Sequence, residues 1–145
     1  MTDQEQSATT NETMAGDSPR DRHERGMDVR RAILGDDHVQ RATEAATRFD
    51  APFQQFITEG AWGTLWADET ITRRERSMLT LALLAATGNF AEIPMHVRAT
   101  ARTGASPEDV MQAFLHVAVY AGVANANHAI KLAKQTYAEM EERDR

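Results

Sequence analysis

From residue 19 onward the apolar residues recur at intervals of three and four, and no stretch alternates apolar and polar in the rhythm of a half-buried strand. That pattern commits the chain to helix packed on helix. The first element is expected over about 20–33, closed by Gly35, and the second over about 37–48, capped by Asp36 or Asp37. Pro52 opens a third, in which Phe53, Phe56 and Ile57 form an apolar face and Trp62 and Leu65 follow. Thr72 and Glu75 make a capping box. The run after it, Met78 to Ala86, is apolar on all sides and predicts a helix buried on several faces. Gly88 stops that helix, and Asn89 with Glu92 offers the next capping pair, ahead of Pro94. Gly104 ends the helix that follows. Ser106, Pro107 and Asp109 then supply N-cap, first-turn proline and first-turn acid. The helix they open is apolar except for a thin stripe of Asp109, Gln112, His116 and Tyr120, and it breaks at Gly122. A last helix covers about 125–142, with Asn125 and Asn127 at its start read as caps.

The expectation is therefore an all-α domain of six or seven helices over residues 19–145, behind an acidic tail over residues 1–18 that is too polar to fold. At 145 residues there is room for one domain. Two helices that are apolar all round need more interior than so small a domain offers, which predicts a homo-oligomer. No apolar run is long enough for a transmembrane helix, and the first residues lack the basic and apolar regions of a signal peptide. Cysteine is absent, which excludes disulfides, thiolate metal sites and cysteine nucleophiles, and the cytoplasm is the simplest compartment expected. The net charge is −6, and four of those charges come from Asp3, Glu5, Glu12 and Asp17 in the tail. A near-neutral body has no basic face for nucleic acid.

Three groups of residues could carry chemistry. Arg73, Arg74 and Arg76 sit in the first turn of a helix, where the dipole disfavours cations by about 0.3–1 kcal/mol each. They either meet an anion there or pair with Asp68, Glu69 and Glu75. His96 lies on a helix whose Arg98 and Arg102 share another face, and it is either a buried structural histidine or a group turned into a pocket. His116 and Tyr120, on the polar stripe, belong either to an inter-helix hydrogen-bond network or to a pocket wall. The five histidines, at 23, 38, 96, 116 and 128, show no metal-ligand spacing, and no phosphate loop or nucleophile elbow is present.

Five segments together resemble the carboxymuconolactone decarboxylase family. They are VRRAILGDDHVQRA (29–42), PFQQFITEGAWGTLW (52–66), TRRERSMLTLALLAATG (72–88), MHVRATARTGASPEDV (95–110) and AFLHVAVYAGVANANHA (113–129). The first two are features of the decarboxylases rather than of the wider superfamily. Gly60 departs from an expected tyrosine, and Ala124–Asn125 from an expected Pro-Ala. Peroxidase-like members of the superfamily use a C-x-x-C pair four residues ahead of a relay histidine. Here those places fall at Asn89 and Glu92, which excludes thiol chemistry, while His96 occupies the histidine's place.

The resemblance implies an all-helical trimer or hexamer that needs no cofactor and no metal. The implied reaction converts 4-carboxymuconolactone, a small dicarboxylate lactone, to 3-oxoadipate enol-lactone and CO₂ in protocatechuate breakdown by the β-ketoadipate route. It implies His96 as proton donor, Arg73 or Arg76 as carboxylate holder, and Trp62, His116 and Tyr120 as pocket walls. The competing expectations are a non-catalytic helical oligomer of the same fold, and an enzyme of this fold acting on another lactone.

Overall fold

A computed structural model describes residues 17–145, and among these residues there are seven α-helices and no strand. They are α1 (Pro19–Leu34), α2 (Asp36–Ala45), α3 (Ala51–Ile57), α4 (Arg73–Ala86), α5 (Ile93–Thr103), α6 (Pro107–Tyr120) and α7 (Val123–Arg143). A π-helical segment, Thr58–Leu65, continues α3, and a 3₁₀ turn, Phe90–Glu92, precedes α5. The acidic stretch expected to be unfolded lies, except for Asp17 and Ser18, outside the described residues. Ser18 caps α1 through a capping box with Asp21, and Asp17 pairs with Arg22 and Arg25 at 3.1 and 2.9 Å.

The boxes at Thr72–Glu75 and Ser106–Asp109 both form, with each hydroxyl accepting the N3 amide. Other expected caps do not. The N-cap of α2 is Gly35, and Asp36 and Asp37 already lie inside the helix, where their charges favour its positive end. Asn89 makes no capping bond, because the 3₁₀ turn intervenes and Pro94 sits at the true start of α5. The last helix begins at Val123 after Gly122, and Asn125 instead donates across to the Ala86 carbonyl at the end of α4 (3.2 Å).

Helix α5 divides the interior. Its Ile93 and Val97 join Leu81 and Ala85 of α4, Val110, Phe114 and Val117 of α6, and Ala126, Ala129 and Ala133 of α7. On its other side Ala99, with Met95 packed beside it, meets Val29, Ile33 and Leu34 of α1, Val39 of α2, and Trp62 and Trp66 of the π-helical segment. Helix α1 and the π-helical segment approach at backbone distance through two glycines. A methyl group on Gly26 would run into the Thr58 carbonyl, and one on Gly63 into the Arg22 carbonyl. Arg25 Nε ties the pair by donating to the Gly63 carbonyl at 2.8 Å.

Three expected apolar faces are not covered within one chain. Helix α3 buries no residue, and Phe53 and Phe56 point outward. Helix α4 packs on α5, α6 and α7, but Leu79 and Leu83 face away from all three. On α6, Met111, Leu115 and Val119 are exposed, and so are His116 and Tyr120. The polar stripe therefore belongs to an outward surface rather than to an otherwise buried helix. None of the helices among the described residues is long and apolar enough to cross a membrane.

Candidate active site

Between its two apolar stripes α5 carries a third, formed by His96, Thr100 and Thr103 at helical spacing. Thr103 and Ser77 of α4 hydrogen-bond through their hydroxyls at 2.7 Å, and Thr100 returns its hydroxyl to the Val97 carbonyl. His96 has no such partner: its Nδ1 is buried and makes no hydrogen bond. Burial pushes the His96 imidazole down to about 4, and the neighbouring imidazole of His38 pushes it the same way. His96 is thus neutral at physiological pH.

His38 comes from α2, one residue before the buried Val39. Its imidazole is also held below its ordinary value, by burial first and then by the positive fields of Arg30, Arg41 and Arg98, with Glu92 opposing. Arg30 is the unusual member of this group. It lies in the core-facing register of α1 beside Val29 and Ile33, and only 7% of it is exposed. Its Nη1 donates to Gln54 Oε1 at 3.2 Å, whereas its Nε is buried with no partner. An arginine stays charged even when burial lowers its pKa, as it does here. The decarboxylase-like first two segments of the chain thus bring a buried cation and a second histidine to the side of α5 that carries His96. Trp62 and Trp66 add an apolar wall, with ring centroids 5.4 Å apart and Met95 packed against the same cluster.

Leaving a buried donor or acceptor unpaired costs about 1–3 kcal/mol. Here two such atoms, Arg30 Nε and His96 Nδ1, lie on elements that both meet His38. A carboxylate is the ligand that satisfies a guanidinium fork, and a neutral imidazole beside it can take up and pass on a proton. Among the described residues no three His, Asp or Glu side chains converge as metal ligands.

Of the residues singled out from sequence, Trp62 and His96 fall in this region. The start of α4 lies elsewhere. Ser77 meets Thr103, so Arg73 and Arg76 sit beside the C-terminal end of α5, about 10 Å along its axis from His96 at 1.5 Å per residue. Arg73 is exposed there. Arg76 is buried, donates from Nη2 to the Asp68 carbonyl at 3.0 Å, and leaves its Nε unpartnered. Between them Arg74 grips Asp109 bidentately, at 2.7 and 2.6 Å, and holds that carboxyl far below its usual range. His116 and Tyr120 stack on each other on the outer face of α6, with ring centroids 6.0 Å apart. His128 stacks on Phe90 at 4.0 Å. Arg30, His38 and Gln54 were not singled out from sequence. The available signal was an arginine in the apolar register of α1, between Gly26 and Ile33.

Residues 51–135 match the sequence profile of the carboxymuconolactone decarboxylase family. The 4-carboxymuconolactone decarboxylase of Acinetobacter baylyi is 34% identical over 119 residues, 82% of this chain and 89% of that one. The nitrosuccinic acid decarboxylase of Metarhizium robertsii is 36% identical over 115 residues, 79% of this chain and 80% of that one. A 4-carboxymuconolactone decarboxylase sequence from Pseudomonas putida is 50% identical over 42 residues, 29% of this chain and 88% of that one.

Proposed function

The chain belongs to the carboxymuconolactone decarboxylase family, and from that premise we propose that it is a cofactor-independent carboxy-lyase converting 4-carboxymuconolactone to 3-oxoadipate enol-lactone and CO₂. The observation that carries the reading is the half-buried, neutral His96, whose Nδ1 is buried and unpartnered, beside His38 and the buried Arg30.

The chemistry asks little beyond such a site. The departing carboxylate sits at the γ-carbon of an α,β-unsaturated lactone. When its C–C bond breaks and CO₂ leaves, the electron pair runs through the C=C into the lactone carbonyl. The dienolate then takes one proton on the ring carbon α to that carbonyl. The substrate supplies its own electron sink, so the protein has only to bind, orient and deliver a proton. Arg30 suits the acetate carboxylate, a role that Arg73 or Arg76, nearer the other end of α5, would otherwise fill. The indoles of Trp62 and Trp66 keep water from the reacting carboxylate, whose charge disperses in the transition state. His96 is the proton donor. It is neutral in the free chain, and a dianion placed against it favours its protonated form, so it takes up a proton from solvent as the substrate binds and passes that proton to the ring carbon.

One relative favours a second reading. Nitrosuccinic acid is also a small dicarboxylic acid, and its nitro group is an electron sink next to a carboxylate. The test presents purified protein with enzymatically generated carboxymuconolactone and, separately, with nitrosuccinate, and follows CO₂ release and product formation without added cofactor and with EDTA. Turnover of the lactone is expected. Turnover of nitrosuccinate alone would transfer the assignment to that substrate, and turnover of neither would end the decarboxylase reading.

A further inference from the structure

A cleft of about 560 Å³ opens where the end of α1, the start of α2, the outer side of α5 and the end of α7 meet. His38 and Met95 are among its lining residues, and the His38 imidazole neighbours His96, so the cleft borders the region of His96. Around it stand Arg41, Arg98, Arg102 and Arg143, from three different helices, against only Asp36 and Asp37. Among the described residues none of these four guanidinium groups has a hydrogen bond or a salt bridge, and neither carboxylate has one. Gly35 has no side chain to obstruct Arg102: a methyl group there would lie 2.6 Å from the Arg102 Nη2 atom. The backbone at Gly35 has a φ of +90°, so glycine suits the position conformationally as well.

Like-charged groups converge without partners only against repulsion, and the repulsion is relieved when an anion enters. Guanidinium groups are planar and weakly hydrated, and they match carboxylates in bidentate fashion, which separates them from lysines as recognition groups. Arg98 and Arg102 are four residues apart on one face of α5, and Arg41 faces them from α2. The spread suits a molecule carrying two or three carboxylates better than a single small anion.

We propose that this cleft is a binding site for small polycarboxylates, the mouth through which a di- or tricarboxylate approaches His38 and His96, with Arg98 and Arg102 as its specificity-determining residues. The role as mouth of the active site rests on the decarboxylase reading; the anion site itself does not. Arg98 and Arg102 receive the acid's carboxylates at the mouth, before its acetate end passes on to Arg30, and Arg41 and Arg143 widen the positive field that draws it in.

The test uses the full chain and the unreactive probe tricarballylate. Calorimetry at low salt should show binding that weakens steeply with added NaCl. R98Q and R102Q should each weaken it at least 10-fold, while R48Q, which removes an exposed arginine outside the cleft, should leave it within 2-fold. Neither cleft variant should lower the melting temperature, because neither guanidinium has a hydrogen-bond or ion-pair partner to lose and each loss relieves repulsion among the cations. In turnover, each should raise KM at least 10-fold with kcat within 2-fold. Absence of tricarballylate binding, or equal weakening by R48Q, overturns the anion site. Turnover with unchanged KM in both cleft variants overturns its place on the substrate's path and leaves the decarboxylase reading intact. Arginine-dependent binding without turnover of either substrate overturns the decarboxylase reading, and the role as mouth with it, and leaves the anion site standing.

Discussion

His96 stays uncharged in the folded chain, and that makes stability depend on acid. An unfolded histidine takes its proton near pH 6.5, whereas His96 in the fold takes it only near 4. Between those values the unfolded state holds more protons, so lowering the pH favours unfolding. The difference is on the order of 3 kcal/mol, present in full above pH 6.5 and lost as the pH falls to 4. His38 is depressed in the same direction and adds to the slope. Chemical denaturation from pH 4 to 8 should therefore show stability rising with pH, and His96→Gln should remove most of that rise. An unchanged slope in the variant would show that the proton linkage lies elsewhere. His96→Ala should lower kcat by roughly 10²-fold while KM moves little, as expected when a proton donor is lost. A folded, correctly assembled variant with near-wild-type kcat would take His96 out of the mechanism. His96 was singled out from sequence because its place on the helix and a family correspondence pointed to it. Arg30 and His38 were not singled out: Arg30 stands in the apolar register of α1, but that register does not say what the guanidinium faces, and no local pattern marks His38.

At the scale of elements, the contact of α1 with the π-helical segment depends on backbones that touch. Gly63→Ala drives a methyl group into the Arg22 carbonyl, which cannot move without shifting α1. Overpacking of this kind costs about 1–3 kcal/mol. Gly60, three residues earlier in the same segment, has nothing within 4 Å of where its methyl would stand. Gly60→Ala should be neutral or stabilise by about 0.5–1 kcal/mol. Thermal melts of the two variants should move in opposite directions, and a shared response would mean that the glycines serve segment geometry rather than close packing. This contact also marks the limit of the sequence reading. The boxes at Thr72–Glu75 and Ser106–Asp109 were legible because a cap is settled within four residues. The same locality misled at Asn89 and Asn125, where a 3₁₀ turn and a partner 39 residues away decided the outcome. The π-helical stretch was not legible at all, because its winding is stabilised by packing on α1, which no local pattern encodes.

For the molecule as a whole, the apolar faces left open by one chain set the expectation. Leu79 and Leu83 on α4, Met111, Leu115 and Val119 on α6, and Val123 at the start of α7 are all exposed, and α4, α6 and α7 pack together. A surface this rich in large aliphatic side chains is unusual for a monomer and usual for a subunit interface. The protein is therefore expected to be a homo-oligomer with helix faces meeting across subunits, and the family resemblance implies a trimer or a hexamer. Leu83 and Val119 are 63% and 76% exposed in the single chain, so a charge at either disturbs no packing within it. In an interface the same charge is buried without a partner, which costs several kcal/mol per subunit. The Leu83→Glu, Val119→Glu double variant should therefore keep the helical circular dichroism of the wild type and fall apart to the 16.1 kDa chain in multi-angle light scattering at micromolar concentration. If the wild type itself scatters as a single chain under those conditions, the faces are not subunit contacts. If the double variant keeps the wild-type mass, assembly uses another surface, and the outward Phe53 and Phe56 of α3 become the next positions to charge.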